Sequence, residues 1–493
     1  MQLDTSLSKH KLSVLIPEVM AAFFILQPIL EIISFCSNND LFPFRVILLV
    51  LISAFGFLIA DNKKPYFLLY SVVTVFWFLH SLNSFRLGYQ YQMTDFAEYL
   101  KLLQFPLLTF SFITFFQQTK GLSSALYGVL TANFVITLVS TVLASITRTS
   151  GYTHTDLSLG TIGWSASGHM QSIILSVLSM AVLLWVLKLD HLPLFFLSVF
   201  LTFGMLYLTG TRAAFYAAIL IALFFAGLIA WQHLHYVYIA PLLLAIILLF
   251  ALRAVSPLQK IQVQKEEVFS AYQEKTAAAL SDVNSSELKK PKKMTEETKS
   301  KIITVYNNYY ADNTLLGSLI QKYGAEKVAE AYQYTTDAKK LLDESLKKSI
   351  SIQLARREYD FFSKLLGTGY EENEVTLQTI PAKNDFSSLF YHYGYLGGIA
   401  YTAFLLYFVW LSIRQVAELF PKSPSAAFLA AFGIFALLLL LSLFSGGVFN
   451  RMNASVYLSF ACATIYCHCF FQSSQTSRNF KYTKKSVVTI KRL

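Results

Sequence analysis

Along most of the chain, apolar residues run for about 17–25 positions at a time, the length that carries a helix across a bilayer, and charges gather between the runs. The runs predict spans at roughly 13–35, 41–60, 66–86, 100–117, 122–146, 169–188, 193–210, 213–231 and 237–252, then 394–413, 426–446 and 452–472. The first run carries Pro17 and Pro28 and shows no small-residue cleavage pattern, so it reads as a retained helix rather than a leader. Between 253 and 392 the pattern breaks into a polar insert. Its first part, including Ser285–Lys293, has the composition of a solvated connector. Its second part places Leu315, Leu316, Leu319 and Ile320, then Leu341, Leu342, Leu346 and Ile350, then Phe361, Phe362 and Leu365 at helical spacing, which predicts a small helical subdomain over the ends of the spans.

The expected class is an all-α polytopic membrane protein with about twelve spans and a large helical extracytoplasmic loop. Its divisions are 1–252 (nine spans), 253–392 (the loop), 393–472 (three spans) and 473–493 (a basic tail). Composition agrees: 493 residues, 55% hydrophobic and 14% charged, with a mean hydropathy of +0.50, exclude a disordered, collagen-like or disulfide-framework chain. The net charge of +11 raises nucleic acid as a partner, but the basic residues are dispersed. Lys63, Lys64, Lys120, Lys188, Arg414 and Lys422 fall in alternate short loops, and Arg478 to Arg492 in the tail, which predicts cytoplasmic termini and an outer insert by the positive-inside rule. No nucleic-acid partner is expected. Cys36, Cys462, Cys467 and Cys469 form no oxidised framework, and His233, His235 and the Cys467–Cys469 stretch lack a further ligand cluster, so no metal or cofactor is expected.

Candidate chemistry lies in two stretches. Arg212, in Leu208–Thr209–Gly210–Thr211–Arg212, stands between two apolar runs with almost no linker, as an interfacial snorkelling side chain or as a two-pronged phosphate ligand. The second stretch runs from Leu365–Leu366–Gly367–Thr368–Gly369–Tyr370 to Asn384–Asp385 and on through His392 to Gly394 and Gly397. Here Asp385 is either a helix cap or a general base. Glu18 and Glu31 are intramembrane carboxylates near opposite boundaries, with interfacial or structural roles favoured. The loop from Gly151 to His169 mixes polar and aromatic residues, as a saccharide contact or a plain connector.

These two stretches, with the span count and the late insert, resemble the bacterial O-antigen ligase and polysaccharide polymerase family. The resemblance implies a GT-C-like membrane glycosyltransferase of the bacterial cytoplasmic membrane. It would join a polyprenyl-pyrophosphate-linked oligosaccharide donor to a glycan acceptor on the outer face, by inversion and without a metal. It further implies that Arg212, with Arg356 or Arg357, holds the pyrophosphate and that Asp385 is the base. Lys383, Asn384, His392, Glu371 and His169 are candidate acceptor or cavity contacts, and other polysaccharide assembly proteins are candidate partners. Where the ligase branch carries His-Asn, this chain has Lys383–Asn384, which tilts the expectation toward polymerisation. The alternative is a flippase for lipid-linked glycans, which needs no one-sided insert ending in such a motif.

Overall fold

The computed structural model describes residues 12–88, 92–283, 287, 294–311, 314–357, 359–369, 384–419 and 425–472. The first half is a run of apolar helices: α1 (Ile16–Ser37), α2 (Phe42–Ile59), α3 (Lys64–Arg86), α4 (Gln92–Gln118) and α5 (Leu122–Ile146). A two-stranded hairpin follows, β1 (Gly151–His154) and β2 (Leu159–Gly163), then α6 (Gly168–Lys188), α7 (Leu192–Leu208), α8 (Arg212–Trp231) and α9 (Ile239–Ala251). The insert contributes α10 (Pro257–Ala279), α11 (Glu296–Val305), α12 (Thr314–Tyr323), α13 (Ala325–Ala331), α14 (Ala338–Leu341), α15 (Glu344–Arg357), α16 (Phe361–Leu366) and α17 (Asp385–His392). The chain ends in α18 (Gly394–Leu419), α19 (Ala426–Phe444) and α20 (Met452–Cys467).

Among the described residues, ten helices are long and apolar enough to cross a membrane, and two shorter apolar helices, Leu192–Leu208 and Tyr236–Ala251, accompany them. The chain is an all-α polytopic membrane protein apart from the hairpin. Local chemistry sets where several helices start. Pro17, Pro43, Pro65, Pro193 and Pro257 occupy first-turn positions, where the missing N–H costs nothing. Helix α6 is the central column and is almost wholly buried, packed by α5, α7, α8 and α19, whereas α3 turns most of its surface outward. Antiparallel alternation brings the ends near residues 37, 86, 168, 212, 394, 444 and 452 together on the side that carries the insert.

The insert has its own apolar core, built around Ile302, Tyr306, Tyr310, Leu316, Val328 and Leu341. Two sequence expectations change, at residues 257–279 and at Phe361 and Phe362. Residues 257–279 form a 23-residue helix rather than a connector, because the Ser256 hydroxyl caps the Gln259 N–H and Pro257 presets the first turn. Of Ser285–Lys293, only Glu287 lies within the described residues. Phe361 and Phe362 are 72% and 56% exposed, outside the subdomain core, on a short helix whose flank is tied to the end of α3 by an Arg86–Asp360 ion pair of 2.7 Å. The loop after α5 is a hairpin, pairing Tyr152 with Thr161 and His154 with Leu159, with Ser158 and Gly160 supplying the positive φ values of its turn.

The Gly-Thr-Gly stretch after α16 docks the insert on the spans. His80 Nδ1 donates to the Leu366 carbonyl (2.7 Å), the Asn83 amide to that of Gly367 (2.8 Å) and the Ser84 hydroxyl to that of Thr368 (3.3 Å). On its other ring nitrogen, His80 meets the Asp95 carboxylate at 2.9 Å. Gly369 N–H donates to the His392 carbonyl (3.0 Å), and His392 Nδ1 donates to the Gly369 carbonyl (2.8 Å). Both glycines have positive φ, +79° and +76°. A Cβ at Gly367 would run into the His392 carbonyl, and one at Gly369 into the Asp95 carboxylate.

Gly367→Ala or Gly369→Ala is therefore expected to lower stability by about 2–4 kcal/mol. Gly227→Ala, in open space on α8, should be neutral or slightly stabilising. Thermal unfolding of the detergent-purified variants checks the contrast, and equal melting temperatures for all three would contradict the docking role.

Candidate active site

A cavity of about 790 Å3 lies between α15 of the insert and the helices α17 and α18. One wall is cationic, made by Arg356, Arg357 and Lys364, and the other carries Phe386, Phe390 and Tyr395 beside Asn384 and Ser387. An adjoining recess of about 120 Å3 shares Arg356, Lys364, Phe390 and Tyr395 and adds Tyr359 and Tyr391, whose hydroxyls are hydrogen-bonded at 3.0 Å. The two arginines at the end of α15 differ. The Arg357 guanidinium lies 3.7 Å from the Glu330 carboxylate, whereas that of Arg356 lies over the Tyr395 ring at 5.8 Å and lines both cavity and recess. A wall of cations facing aromatic rings, at the start of the membrane helix α18, suits an amphipathic anion, with the guanidinium fork on its charged part.

Helix α17 forms the floor. Asn384, not Asp385, caps it: its side-chain oxygen accepts from Ser387 N–H (2.8 Å), and its amide donates to the Leu443 carbonyl (2.7 Å). Asp385 is only 4% exposed and faces away from solvent into the loop between α19 and α20. Its carboxylate accepts three backbone N–H bonds, from Gly447 (2.6 Å) on one oxygen and from Val448 (2.7 Å) and Phe449 (3.2 Å) on the other. Burial pushes its pKa up from 3.8 to about 6, against the pull of those N–H groups and of the Arg451 charge. The same loop is held from the opposite side by His169, whose Nε2 donates to the Gly446 carbonyl at 2.7 Å. Positive φ at Gly446 and Gly447, +75° and +81°, lets the loop pass between the two side chains.

The sequence-predicted residues thus divide. Arg356, Arg357 and Asn384 line one cavity. Asp385 and His169 instead meet on the loop beside it. His392, expected as a cavity contact, is buried in the docking contact with Gly369, and burial pushes its pKa down to about 4, which leaves it neutral at pH 7. Arg212 is exposed in the first turn of α8 and is not among the cavity's lining residues. Its neighbour Thr211 caps Ala214 N–H (3.1 Å) and meets the Ser172 hydroxyl of α6 (2.6 Å). Lys383 and Glu371 lie outside the described residues.

Arg451 escaped the sequence reading. It follows the clamped loop directly and lines a second, polar cavity of about 70 Å3 with Glu31, Arg45, Lys101, Asn450 and Asn453. The available signal was Glu31 itself, an intramembrane carboxylate, with Arg45 facing it from the next helix.

A family model described as O-antigen ligase like membrane protein matches residues 15–468. No curated protein and no solved structure matches the chain.

Because Asp385 holds its proton more tightly folded than unfolded, the stability it contributes on protonation is fully present below about pH 4 and is lost as pH rises through about 6. Melting temperatures of wild type and Asp385→Asn across pH 4–8 check this. The difference between the two should change between pH 4 and 6 and level off above it, and a constant difference would contradict the buried-carboxylate geometry.

Proposed function

The chain belongs to the O-antigen ligase like family of membrane proteins, and from that premise we propose that it transfers an oligosaccharide from a polyprenyl pyrophosphate carrier to an acceptor glycan at the insert-side membrane face. Membership supports a membrane enzyme of glycan assembly. The observation that carries the finer reading is the cavity under α15, which offers three cations and an aromatic wall at the start of a membrane helix. A sugar on pyrophosphate already has its leaving group: the acceptor hydroxyl bonds to the anomeric carbon as the carbon–oxygen bond to pyrophosphate breaks, the hydroxyl proton leaves with the released pyrophosphate, and the requirement is to stabilise the charge that develops on the departing oxygen. Arg356 and Lys364 meet it on the cationic wall, while Phe386, Phe390 and Tyr395 receive the first part of the lipid. Arg357, paired with Glu330, contributes less.

Asp385 acts in this reading through the loop it clamps, since both its oxygens accept backbone N–H groups. Arg212, exposed at the start of α8, is not among the residues that line this cavity. Polymerisation is preferred over ligation because Lys383–Asn384 stands where the ligase branch carries His-Asn. The basic loops support a cytoplasmic-membrane location with both termini inside, and the helical bundle under a helical insert supports a GT-C-like architecture. The exposure of Phe361 and Phe362, beside the last residue of α3, supports contact with lipid there.

Reconstituted protein supplied with a synthetic polyprenyl pyrophosphate oligosaccharide should produce a ladder of longer glycans. Arg356→Ala should lower kcat/KM by roughly 10²–10³-fold, and Arg357→Ala by no more than about fivefold, in keeping with an exposed ion pair. Equal losses would overturn the distinction between the arginines. Donor that crosses the bilayer unchanged would overturn the transfer reading in favour of transport.

A further inference from the structure

Transfer needs a second substrate, and the cavity with the cationic wall accounts for the donor alone. An acceptor sugar presents hydroxyls, which are held by carboxylate oxygens and amide groups with unused hydrogen-bonding capacity. Asp385 is engaged on both oxygens by three N–H groups of the loop and is not among the residues that line either cavity. Glu31, near the insert-side end of α1, differs. Its Oε1 receives both of its donors, Arg45 Nη2 at 2.5 Å and Asn453 Nδ2 at 2.7 Å, and among the described residues nothing donates to Oε2. The Glu31 side chain is 16% exposed and lines the 70 Å3 cavity, with a smaller recess beneath it lined by Gln27, Gln171 and Trp164.

A carboxylate in a membrane helix is costly unless compensated, and Arg45 supplies the compensation. A purely structural pair has no need of an open polar chamber around it. This one has Asn450 and Arg451 on one wall and Ser34 and Ser167 on others, with room for about five waters at the 10–15 Å3 each requires. A hydroxyl-rich ring that displaces those waters recovers their hydrogen bonds. The chamber also stands next to the donor site. Asn450 donates to the Ser388 hydroxyl on α17 (3.1 Å), and α17 carries the Asn384, Phe386 and Ser387 that line the donor cavity. That short helix lines the donor cavity, and Asn450 and Arg451, at the end of the loop clamped by Asp385, line the chamber.

The geometry points to the Glu31 chamber as the acceptor-saccharide subsite, in which Glu31 Oε2 accepts a sugar hydroxyl while Arg451 donates to ring or hydroxyl oxygens. The assignment deepens the transfer reading and rests on it for the name of the substrate, but the binding it describes is measurable without turnover. The probe is the repeat oligosaccharide released by mild acid from the lipid-linked donor. In the reconstituted full chain, Ser167→Cys in a Cys36→Ser, Cys469→Ser background places one accessible thiol on the chamber wall for a membrane-impermeant maleimide. Saturating oligosaccharide should slow its labelling at least about fivefold, and Glu31→Gln should raise the acceptor KM about tenfold or more while the donor KM stays within twofold. Should Glu31→Gln fail to fold, the labelling result decides alone. Undiminished labelling in protein that transfers normally overturns the subsite. Protection in protein that transfers nothing leaves the subsite in place and removes the transfer reading.

Discussion

Two stretches of non-helical backbone are buried at the insert-side ends of the spans, and the rest of the structure depends on how their peptide groups are satisfied. Water is scarce at that depth, so each N–H and carbonyl needs a protein partner. The carbonyls of Leu366, Gly367 and Thr368 take donors from His80, Asn83 and Ser84 of α3. The N–H groups of Gly447, Val448 and Phe449 converge on Asp385. The first set seats the insert on the membrane bundle, and the second fixes the loop that carries Asn450 and Arg451. Between them they set the position of α17, and so the floor of the cavity beneath Arg356.

This division of labour also sorts the charged groups. Asp385, His80 and His392 are engaged by backbone groups in this structure, whatever their place in a motif. Groups that retain unused capacity face cavities: Arg356, which has an aromatic ring rather than a carboxylate as its neighbour, and Glu31, which keeps one oxygen. The proposed transfer needs an anion-stabilising wall and a hydroxyl-binding chamber, and Arg356 lines one of the two cavities and Glu31 the other.

The spans and the helical insert were legible because long apolar runs and 3.6-residue periodicity are local signals that packing does not override. Arg356 and Asn384 were legible as members of a motif. What the pattern could not show was the direction each side chain faces. Phe361 and Phe362 share helical spacing with true core residues, yet they turn outward because α16 sits beside the end of α3 rather than within the subdomain. Residues 257–279 look like a polar connector because their apolar positions are few, although Ser256 and Pro257 mark a helix start. The Gly-x-Gly element is weak evidence for a ligand loop on sequence grounds, and it proves to be a place where no Cβ fits between His392 and Asp95. The partner of Asp385, a loop some sixty residues further on, is a tertiary fact with no local trace.

The most direct test of the account is an experimental structure of the full chain in a lipid nanodisc with a bound, non-transferable polyprenyl pyrophosphate oligosaccharide. The pyrophosphate is predicted between Arg356 and Lys364, with the lipid leaving past Phe390 and Tyr395 and Asp385 still holding the loop at Gly447–Phe449. Pyrophosphate bound instead against Arg212 with the cavity under α15 empty, or an Asp385 carboxylate released from the loop and turned to the sugar, would contradict it.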